Sequence, residues 1–572
     1  MTRETLVSVL EEIALLLELK GENPFKIRAY RTGAEVVESF PGDIVKEAAE
    51  NNLAGTKGIG DALRQKLHEL ATTGKLVFHE RLRAEFPATI FELFDIPGLG
   101  PKKVKALYEA LGVDSVSRLR EVCESSEVAE LAGFGKKSVE KILEAIAFRE
   151  KNASRFRQEE VAGVVEQILD FLKAHPAVSR AEAAGSWRRA KETVHDVDFI
   201  TETGDTAAVT AAFVEGPFVE NVIVRGETKA SIHVAKGVQC DLRAVSAEEY
   251  PFALHYFTGS KEHNIAMRSR ALTRGYTLNE YRLAPTGGAP GAEKIQTEQE
   301  LYRFLGLDYI EPELRENAGE IEAAEAGDLP RLVAMENLRG TFHNHTNASD
   351  GKATLKEMAE AAQELGLQYL GIADHSKSSF QANGLHADRL LSQVREIQHL
   401  NDGFEEFRLF AGSEVDILKD GDLDFDDEIL EQLDYCVASV NNAMTQPEAK
   451  MTERIIKAVS NPHVTMLGHP TGRLLLRREP YAVDIPAVIE ACAATATVIE
   501  LNANPWRLDL DWRWWKHAAE MGVKCAINPD AHDAEGLAFL YYGVRIARKG
   551  WLTRKDVINC LPLGEIEAVI GA

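Results

Sequence analysis

The chain has 572 residues, of which 45% are hydrophobic and 27% charged, and its net charge is −25. This length exceeds what one hydrophobic core supports, so we expect three or more domains. The first residues are acidic, so we expect no signal peptide. The sequence has no run of about eighteen apolar residues, so we expect no membrane span. Six scattered cysteines indicate a reduced, cytoplasmic protein. Residues 1–160 carry 24 Lys and Arg against 27 Asp and Glu, so the acidic excess lies later and does not exclude a nucleic-acid partner for the first domain.

Glycine-rich turns open three amphipathic helical patterns near the start, at 58–60, 98–100 and 133–135. Glycine permits a tight turn, and the N–H groups at a new helix start face an anion. Lysines in a first turn oppose the helix dipole unless a phosphate lies between them and the helix. The turns resemble helix-hairpin-helix motifs, which hold the DNA backbone without reading sequence; the third is either a further backbone contact or a structural turn. We expect DNA contacts from Gly58, Gly60, Gly98, Gly100, Lys102 and Lys103.

A carboxylate cluster is the next feature along the chain. Gly185-Ser186-Trp187-Arg188-Arg189 precedes Asp196 and Asp198, which alternation places on one face of a strand. A second strand, residues 239–245, brings Asp241 into a similar setting. Carboxylates this dense suit Mg²⁺, and the Gly-Ser turn with its arginines offers donors to phosphate. The combination indicates phosphoryl or nucleotidyl transfer.

This segment resembles the palm of the family X DNA polymerases, and the run from Tyr256 to Arg268 resembles their nucleotide-binding segment. The resemblance implies that Asp196, Asp198 and Asp241 hold two Mg²⁺ (or Mn²⁺) ions, with Asp241 nearest the primer hydroxyl. Lys261 replaces an acidic residue of vertebrate DNA polymerase beta, so its contact with the nucleotide should differ. The implied nucleotide-binding residues are Gly185, Ser186, Arg189, Tyr256, Phe257, Gly259, Lys261, Asn264 and Arg268.

The same resemblance extends to the first domain. Lys66 falls at the spacing of the lysine that forms a Schiff base with an abasic sugar in DNA polymerase beta, and residues 26–31 resemble the family's 5′-phosphate pocket. A lysine amine becomes nucleophilic only where burial or nearby cations lower its pKa. A solvated lysine on a helix face is the alternative, so a lyase role for Lys66 stays open.

Beyond residue 339 the motifs change. His343-Asn344-His345 ends an apparent strand, and further His and acidic residues end short apolar runs that are each followed by a loop and a helical pattern. That order is typical of a β/α barrel whose strand ends carry the ligands. Several histidines with interleaved carboxylates suit Zn²⁺, Mn²⁺ or Fe better than Mg²⁺ alone.

This part resembles the PHP family, which is associated with 3′–5′ exonuclease and related phosphoesterase chemistry. Asn441 stands where that family usually has a histidine; an amide oxygen is a weaker ligand, so the ion shared with Glu414 and His469 should bind loosely or be absent. By resemblance the metal ligands are His343, His345, Asp350, His375, Glu414, His469, Asp530 and His532, with Asn441 doubtful.

The expected fold class is a multidomain mixture of α+β and α/β: a helix-hairpin-helix region, a nucleotidyltransferase palm and fingers, and a PHP barrel. We expect a monomeric, cytoplasmic polymerase that fills gaps in base excision or break repair on gapped or primer–template DNA with dNTPs, without a membrane. The alternatives are an untemplated nucleotidyltransferase that modifies RNA or small molecules, a polymerase with a purely structural PHP domain, and a non-catalytic DNA-binding scaffold. The scaffold would require loss of the palm carboxylates, and all three are present. The expected domains are a lyase-like helical domain (1–85), a thumb-like subdomain (86–155), the palm (156–250), a fingers-like subdomain (251–317), a linker (318–338) and the PHP domain (339–572).

Overall fold

In a computed structural model the chain folds into two compact units, Met1–Ala153 and Ser154–Ala572. The structure describes residues 1–38, 40, 42–96, 99–125, 127–131, 133–291 and 294–570. Gly98, one of the glycines expected at DNA, lies outside these residues. None of the described helices is both long and apolar enough to cross a membrane. All six cysteines lie buried as free thiols, in keeping with the expectation of reduced side chains.

The first unit is helical and has a single apolar core. Its helices are amphipathic; in the one that follows the first glycine turn, Leu63, Leu67 and Leu70 are buried at the spacing of one helix face. Short 3₁₀ turns occupy Ala88–Asp95 and Glu127–Glu130. The α-helices are α1 (Arg3–Lys20), α2 (Pro24–Glu38), α3 (Ile44–Ala49), α4 (Asp61–Thr73), α5 (Val77–Arg83), α6 (Pro101–Leu111), α7 (Val116–Glu124) and α8 (Lys136–Asn152).

The second unit begins with the palm, whose described residues form a five-stranded sheet in the order β2-β4-β7-β6-β5. The strand β4 alternates buried and half-buried residues, as the sequence pattern predicts, and pairs in parallel with β7. The elements are β1 (Phe156–Arg157), α9 (Gln158–Ala174), β2 (Val178–Ala183), α10 (Gly185–Arg188), β3 (Thr193–Val194), β4 (Asp196–Thr203), α11 (Thr206–Val214), β5 (Asn221–Arg225), β6 (Lys229–His233) and β7 (Gln239–Val245).

A helical segment follows the palm and continues into the expected linker. That linker is packed: Glu320 at its first helix is fully buried and lies 2.7 Å from Nδ1 of His263, while Val333 and Leu338 belong to the core of the barrel beyond it. The segment therefore joins its neighbours through buried contacts. Its elements are α12 (Tyr250–Thr258), α13 (Lys261–Thr273), β8 (Tyr276–Leu278), β9 (Leu283–Pro285), α14 (Glu298–Phe304) and α15 (Glu320–Ala326).

The rest of the second unit is a β/α barrel, as expected. Its described residues form seven parallel strands in chain order, and a bridge between Asn344 and Ala531 joins the end of the first strand to the chain after the last. Strands buried on both faces read as continuous apolar runs, which explains their short hydrophobic pattern. The elements are β10 (Gly340–Asn344), α16 (Leu355–Glu364), β11 (Tyr369–Ile372), α17 (Ala387–Asn401), β12 (Arg408–Asp416), α18 (Asp427–Leu430), β13 (Tyr435–Ser439), α19 (Glu448–Val459), β14 (Met466–Leu467), α20 (Ile485–Thr495), β15 (Val498–Asn502), α21 (Trp512–Glu520), β16 (Cys525–Asn528), α22 (Leu540–Lys549) and α23 (Leu563–Ile570).

Candidate active sites

The palm carboxylates lie side by side on two parallel strands. Asp198 of β4 is in register with Asp241 of β7, and Asp196 is in register with Gln239. The Ser231 hydroxyl donates a hydrogen bond to Asp241, and Nε2 of Gln239 donates a second one at 2.8 Å, so the Asp241 carboxylate is fixed in place.

These carboxylates repel one another. Burial, followed by the charges of Asp196 and Asp241, raises the pKa of Asp198 to about 7, although Arg243 and Arg189 act in the opposite direction. A divalent cation removes such repulsion, and carboxylate oxygens are the ligands that Mg²⁺ and Mn²⁺ take. The donor set therefore fits the metals that the sequence predicts for the palm.

A short helix, α10, places the phosphate-binding turn against this cluster. Gly185 has φ +61°, and a Cβ atom there would lie 2.5 Å from Oδ2 of Asp198. A larger residue at this position would strain the backbone and displace the carboxylate. Ser186 is half-buried on the same turn, so the turn and the carboxylates form one site.

The two arginines of the motif have different surroundings. Arg188 donates to Glu298 at 2.7 Å, and Arg315 donates to the other oxygen of Glu298 at 2.6 Å, within the protein interior. The two guanidinium groups outweigh the effect of burial and hold the pKa of Glu298 far below its usual value. Arg188 is thus a structural residue. Arg189 instead donates to Glu316 at 3.1 Å and to the Thr258 carbonyl, beside the turn.

The segment from Tyr256 to Arg268 spans the end of α12 and the start of α13. Tyr256 and Phe257 are half-buried with their rings in an edge-to-face contact at 5.2 Å, and Phe257 packs against a buried apolar cluster. Lys261 and Arg268 are exposed. Nδ2 of Asn264 donates to the Tyr256 carbonyl at 2.7 Å, and within the described structure its Oδ1 atom has no hydrogen-bond partner. Gly259 lies next to Arg189: a Cβ atom at this position would lie 3.1 Å from Nη1 of Arg189.

The barrel brings all eight expected ligands to one end of its strands. Among the described residues, potential ligand atoms lie within 4.8 Å of one another in three overlapping groups. His343, His469 and Asp530 have positive φ angles of 56°, 23° and 52°, a backbone strain that is typical of functional sites. The groups are His345, Asp350, His375 and His532; His343, His469 and Asp530; and His343, His345 and Glu414.

The Glu414 carboxylate lies at the centre of the barrel cluster. Its oxygens are 2.7 Å from Nδ1 of His375 and 2.8 Å from Nε2 of His469. Burial opposes protonation of His375, but the carboxylates, Glu414 first among them, raise its pKa to about 9. Within the described structure, Nε2 of His343 and Nδ1 of His345 are buried without hydrogen-bond partners. Orphaned imidazole nitrogens beside carboxylates fit metal coordination by N and O ligands.

Asn441 lies at this cluster. Its Nδ2 atom donates to Oε1 of Glu414 at 3.1 Å, the same oxygen that His469 contacts. The amide therefore occupies the position next to Glu414 and His469 where the resemblance places a histidine.

The motifs alone did not identify Glu500. This fully buried carboxylate accepts from Nδ1 of His343 at 2.6 Å and from the backbone N–H of His469 at 2.6 Å. A carboxylate behind a metal-binding histidine fixes the ring and its tautomer. Its place in the buried strand β15 gives the only sequence signal, a charge within an apolar run.

The glycine turns of the first unit form the third candidate site. Gly60, Gly100 and Gly135 precede α4, α6 and α8 as N-caps that make no side-chain hydrogen bond. Lys102 is exposed and Lys103 half-buried in the first turn of α6. The N–H groups of the first turn thus lack a capping side chain and can donate to an anion. Gly58 has φ +93°, where a side chain would also meet Val36 at 2.7 Å.

Lys66 lies on α4 beside two aromatic rings. Its Nζ atom is 5.0 Å from the centre of the Phe78 ring and 5.9 Å from that of Tyr30. These cation–π contacts make Lys66 part of the packing of the first unit, and its lyase role stays a prediction.

Family models match most regions of the chain. A helix-hairpin-helix domain matches residues 1–76, a SAM-like helix-hairpin-helix tandem matches 90–147, and a PHP domain matches 341–503. The model of the DNA polymerase beta thumb matches residues 253–316, which lie within the expected fingers-like subdomain (251–317).

Curated proteins are similar over all or part of the chain. DNA polymerase/3′-5′ exonuclease PolX of Bacillus subtilis is 40% identical over 100% of this chain and 99% of its own length. A probable phosphatase of Thermoanaerobacter sp. is 28% identical over 38% of this chain and 88% of its own. DNA polymerase lambda of Rattus norvegicus is 25% identical over 54% of this chain and 55% of its own. Full-length similarity, the paired palm carboxylates and the ligand cluster of the barrel all agree: the chain belongs to the family X DNA polymerases with a carboxy-terminal PHP domain.

Proposed function

We propose that the protein is a DNA-directed DNA polymerase that fills short gaps during DNA repair and that also carries a 3′–5′ exonuclease. The observation that carries the polymerase is the register of Asp198 with Asp241, next to a glycine turn whose shape leaves no room for a side chain. Three carboxylates beside a phosphate-binding turn are the equipment of two-metal nucleotidyl transfer. Asp196, Asp198 and Asp241 would hold Mg²⁺ or Mn²⁺, which would neutralise charge on the phosphates.

In this proposal the side chains position a dNTP. Ser186 and Arg189 bind the triphosphate, Tyr256 and Phe257 pack against the sugar, and Asn264 with Arg268 reaches the base pair. The unpartnered Oδ1 atom of Asn264 supports its part, since a buried acceptor without a partner is costly until a ligand supplies the donor. The Asp241 carboxylate accepts the proton of the primer hydroxyl or holds that hydroxyl in place.

The first unit would hold the DNA backbone. Helix starts without capping side chains offer N–H donors to phosphate, and Lys102 and Lys103 add charge next to one of them. This unit has almost no net charge, so the contacts would be few and local. An untemplated nucleotidyltransferase that modifies RNA or small molecules would have no use for such turns, and they therefore favour gapped or primer–template DNA as the substrate.

The barrel would hydrolyse the 3′ end of DNA. Its eight ligands suit two or three ions of Mn²⁺, Zn²⁺ or Fe, which would activate water and stabilise the leaving oxygen. Asn441 supplies a neutral amide next to Glu414, so we propose that the ion at this position binds weakly and that the nuclease is correspondingly slow. A purely structural barrel would have no need of strained backbone at three ligands.

One assay tests both activities. Purified protein is incubated with a gapped primer–template, with and without dNTPs, and the primer length is followed. Asp198→Ala should abolish extension, retain DNA binding in a gel-shift assay, and leave primer shortening unchanged. Extension by this variant at the wild-type rate would refute the palm assignment.

A further inference from the structure

The last helix turn of the barrel's α22 reaches the phosphate-binding turn of the palm. Lys549 is fully buried, and its Nζ atom donates to the Arg189 carbonyl at 2.8 Å and to Oε1 of Glu316 at 2.6 Å. One helix turn earlier, Arg545 donates to the Trp187 carbonyl, and its guanidinium lies 4.8 Å from the centre of the Trp187 ring. Two cationic side chains of the barrel thus bind two backbone carbonyls of the phosphate-binding turn in the palm.

The acceptors of these bonds lie on and just after the short helix α10, Gly185–Arg188. The Trp187 carbonyl accepts from the Ala190 backbone N–H at 3.1 Å and in addition from Arg545. The Arg189 carbonyl accepts from Lys549. The orientation of the turn, and with it the position of the Ser186 hydroxyl, depends on the barrel.

The same contacts distribute charge at the turn. Glu316 accepts hydrogen bonds from Lys549 and from Nε of Arg189, the latter at 3.1 Å. It also forms an ion pair with Lys191, whose Nζ atom lies 3.1 Å from its other oxygen. Three cationic side chains thus surround one carboxylate, and the net charge of this group is positive. The cations, Lys549 first among them, overcome the effect of burial and lower the pKa of Glu316 to about 2.

We propose that Lys549 and Arg545 are positioning residues for nucleotide binding. They fix the triphosphate-binding turn, and Lys549 neutralises Glu316 so that Arg189 and Lys191 can bind the triphosphate. The proposal rests on the proposed binding of a dNTP at this turn. It makes α22 of the PHP domain part of the polymerase, independently of any metal in the barrel.

Steady-state kinetics of dNTP incorporation on a gapped duplex tests the proposal. Lys549→Met removes the charge but keeps the length of the side chain, so Glu316 then competes with the triphosphate for Arg189. We expect the KM for dNTP to rise about tenfold, which corresponds to about 1.4 kcal/mol, while kcat changes less than about threefold. Glu316→Gln in the same variant should restore most of the lost affinity.

Arg548→Met is the matched control. Arg548 lies on the same helix and donates to Glu313 at 2.6 Å and to the Val333 carbonyl at 3.2 Å, and neither of these partners belongs to the turn. It should leave KM within about twofold of the wild-type value. An equal rise of KM in the Arg548 and Lys549 variants, or no rescue by Glu316→Gln, would overturn the proposal and indicate a general loss of stability.

A second measurement does not depend on the folding of the methionine variant. Burial, opposed by Glu316 and assisted by Lys191 and Arg189, lowers the pKa of Lys549 to about 8. The groups that face its ammonium are Glu316, Lys191, Arg189, the Glu313 carbonyl and the Trp512 ring at 4.6 Å. Lysine is charged below pH 8 and neutral above it, whereas arginine stays charged.

The wild-type KM for dNTP should therefore rise as the pH increases through 8, and Lys549→Arg should abolish that rise. Identical pH profiles for the two proteins would refute the role of Lys549. Failure of the wild-type protein to incorporate any dNTP would instead refute the proposed polymerase function, and this inference with it.

Discussion

Gly185→Ala is the sharpest test of the palm geometry. The added Cβ would lie 2.5 Å from Oδ2 of Asp198, well inside the 3.4 Å at which ordinary van der Waals contact begins, and the backbone has φ +61°. The left-handed conformation costs an alanine about 1–2 kcal/mol. The carboxylate must in addition retreat by roughly 1 Å, and a displacement of that size costs about 100-fold in rate where reacting groups must be aligned.

We therefore expect kcat for dNTP incorporation to fall about 100-fold, with a loss of stability of about 1–2 kcal/mol. Single-turnover extension of a gapped primer measures the rate, and thermal unfolding measures the stability. Gly204→Ala is the control, because that glycine follows β4 in the same sheet, has ordinary backbone angles and has open space around it. Full activity of the Gly185 variant would mean that Asp198 need not stay where the structure places it, and the argument from the turn would fail.

Further predictions concern the metals, the pH and the DNA. Asn441→His should raise both the metal content of the barrel and the rate of primer shortening; equal metal content and equal rates in the two proteins would show that this residue does not limit the site. Glu500→Gln removes the carboxylate behind His343 and should weaken metal affinity about 10–100-fold in a chelator competition, a result that an unchanged competition curve would contradict. The folded pKa of Asp198, about 7, exceeds the ordinary value of 3.8, so its charge destabilises the fold above pH 7 and not below pH 4. Asp198→Asn should consequently raise the melting temperature in EDTA at pH 8 and leave it unchanged at pH 4; a rise at pH 4 alone would reverse the sign of the argument. If phosphate contacts carry DNA binding, as proposed, affinity should fall steeply between 50 and 200 mM salt, and a flat dependence would argue against binding through the DNA backbone.

Local patterns in the sequence were sufficient to predict much of the fold. The alternation around Asp196 and Asp198 predicted β4, and the range 239–245 predicted for the partner strand agrees with the bounds of β7. In the barrel, most of the expected ligands lie at or just after a strand end, because parallel strands bring their carboxyl ends to one edge. Glu414 lies within β12, and Asp350 lies in the loop that follows β10. The hydrophobic period and the order of the motifs along the chain determine these features, and a single sequence shows both.

Contacts between distant parts of the chain could not be predicted in the same way. The motif offers two adjacent arginines, and only the packing of Glu298 and Arg315 shows that Arg188 is structural while Arg189 faces the turn. The carboxylate that pairs with Arg188 lies 110 residues away in the sequence. The expected linker likewise reads as a polar, Ala/Glu-rich helix, and its burial follows from His263, whose imidazole accommodates the Glu320 carboxylate. No local pattern carries such pairings.

The bonds from α22 to the palm also determine how the two activities can be separated in the laboratory. Removal of the chain after residue 338 would take away Arg545 and Lys549, so the Trp187 carbonyl, the Arg189 carbonyl and the Glu316 carboxylate would each lose the partner that α22 supplies. An inactive truncated polymerase would then reflect a disordered turn, and it would say nothing about whether nuclease chemistry assists DNA synthesis. Substitution of a barrel ligand such as His375, with the helix left in place, separates the two activities without that ambiguity.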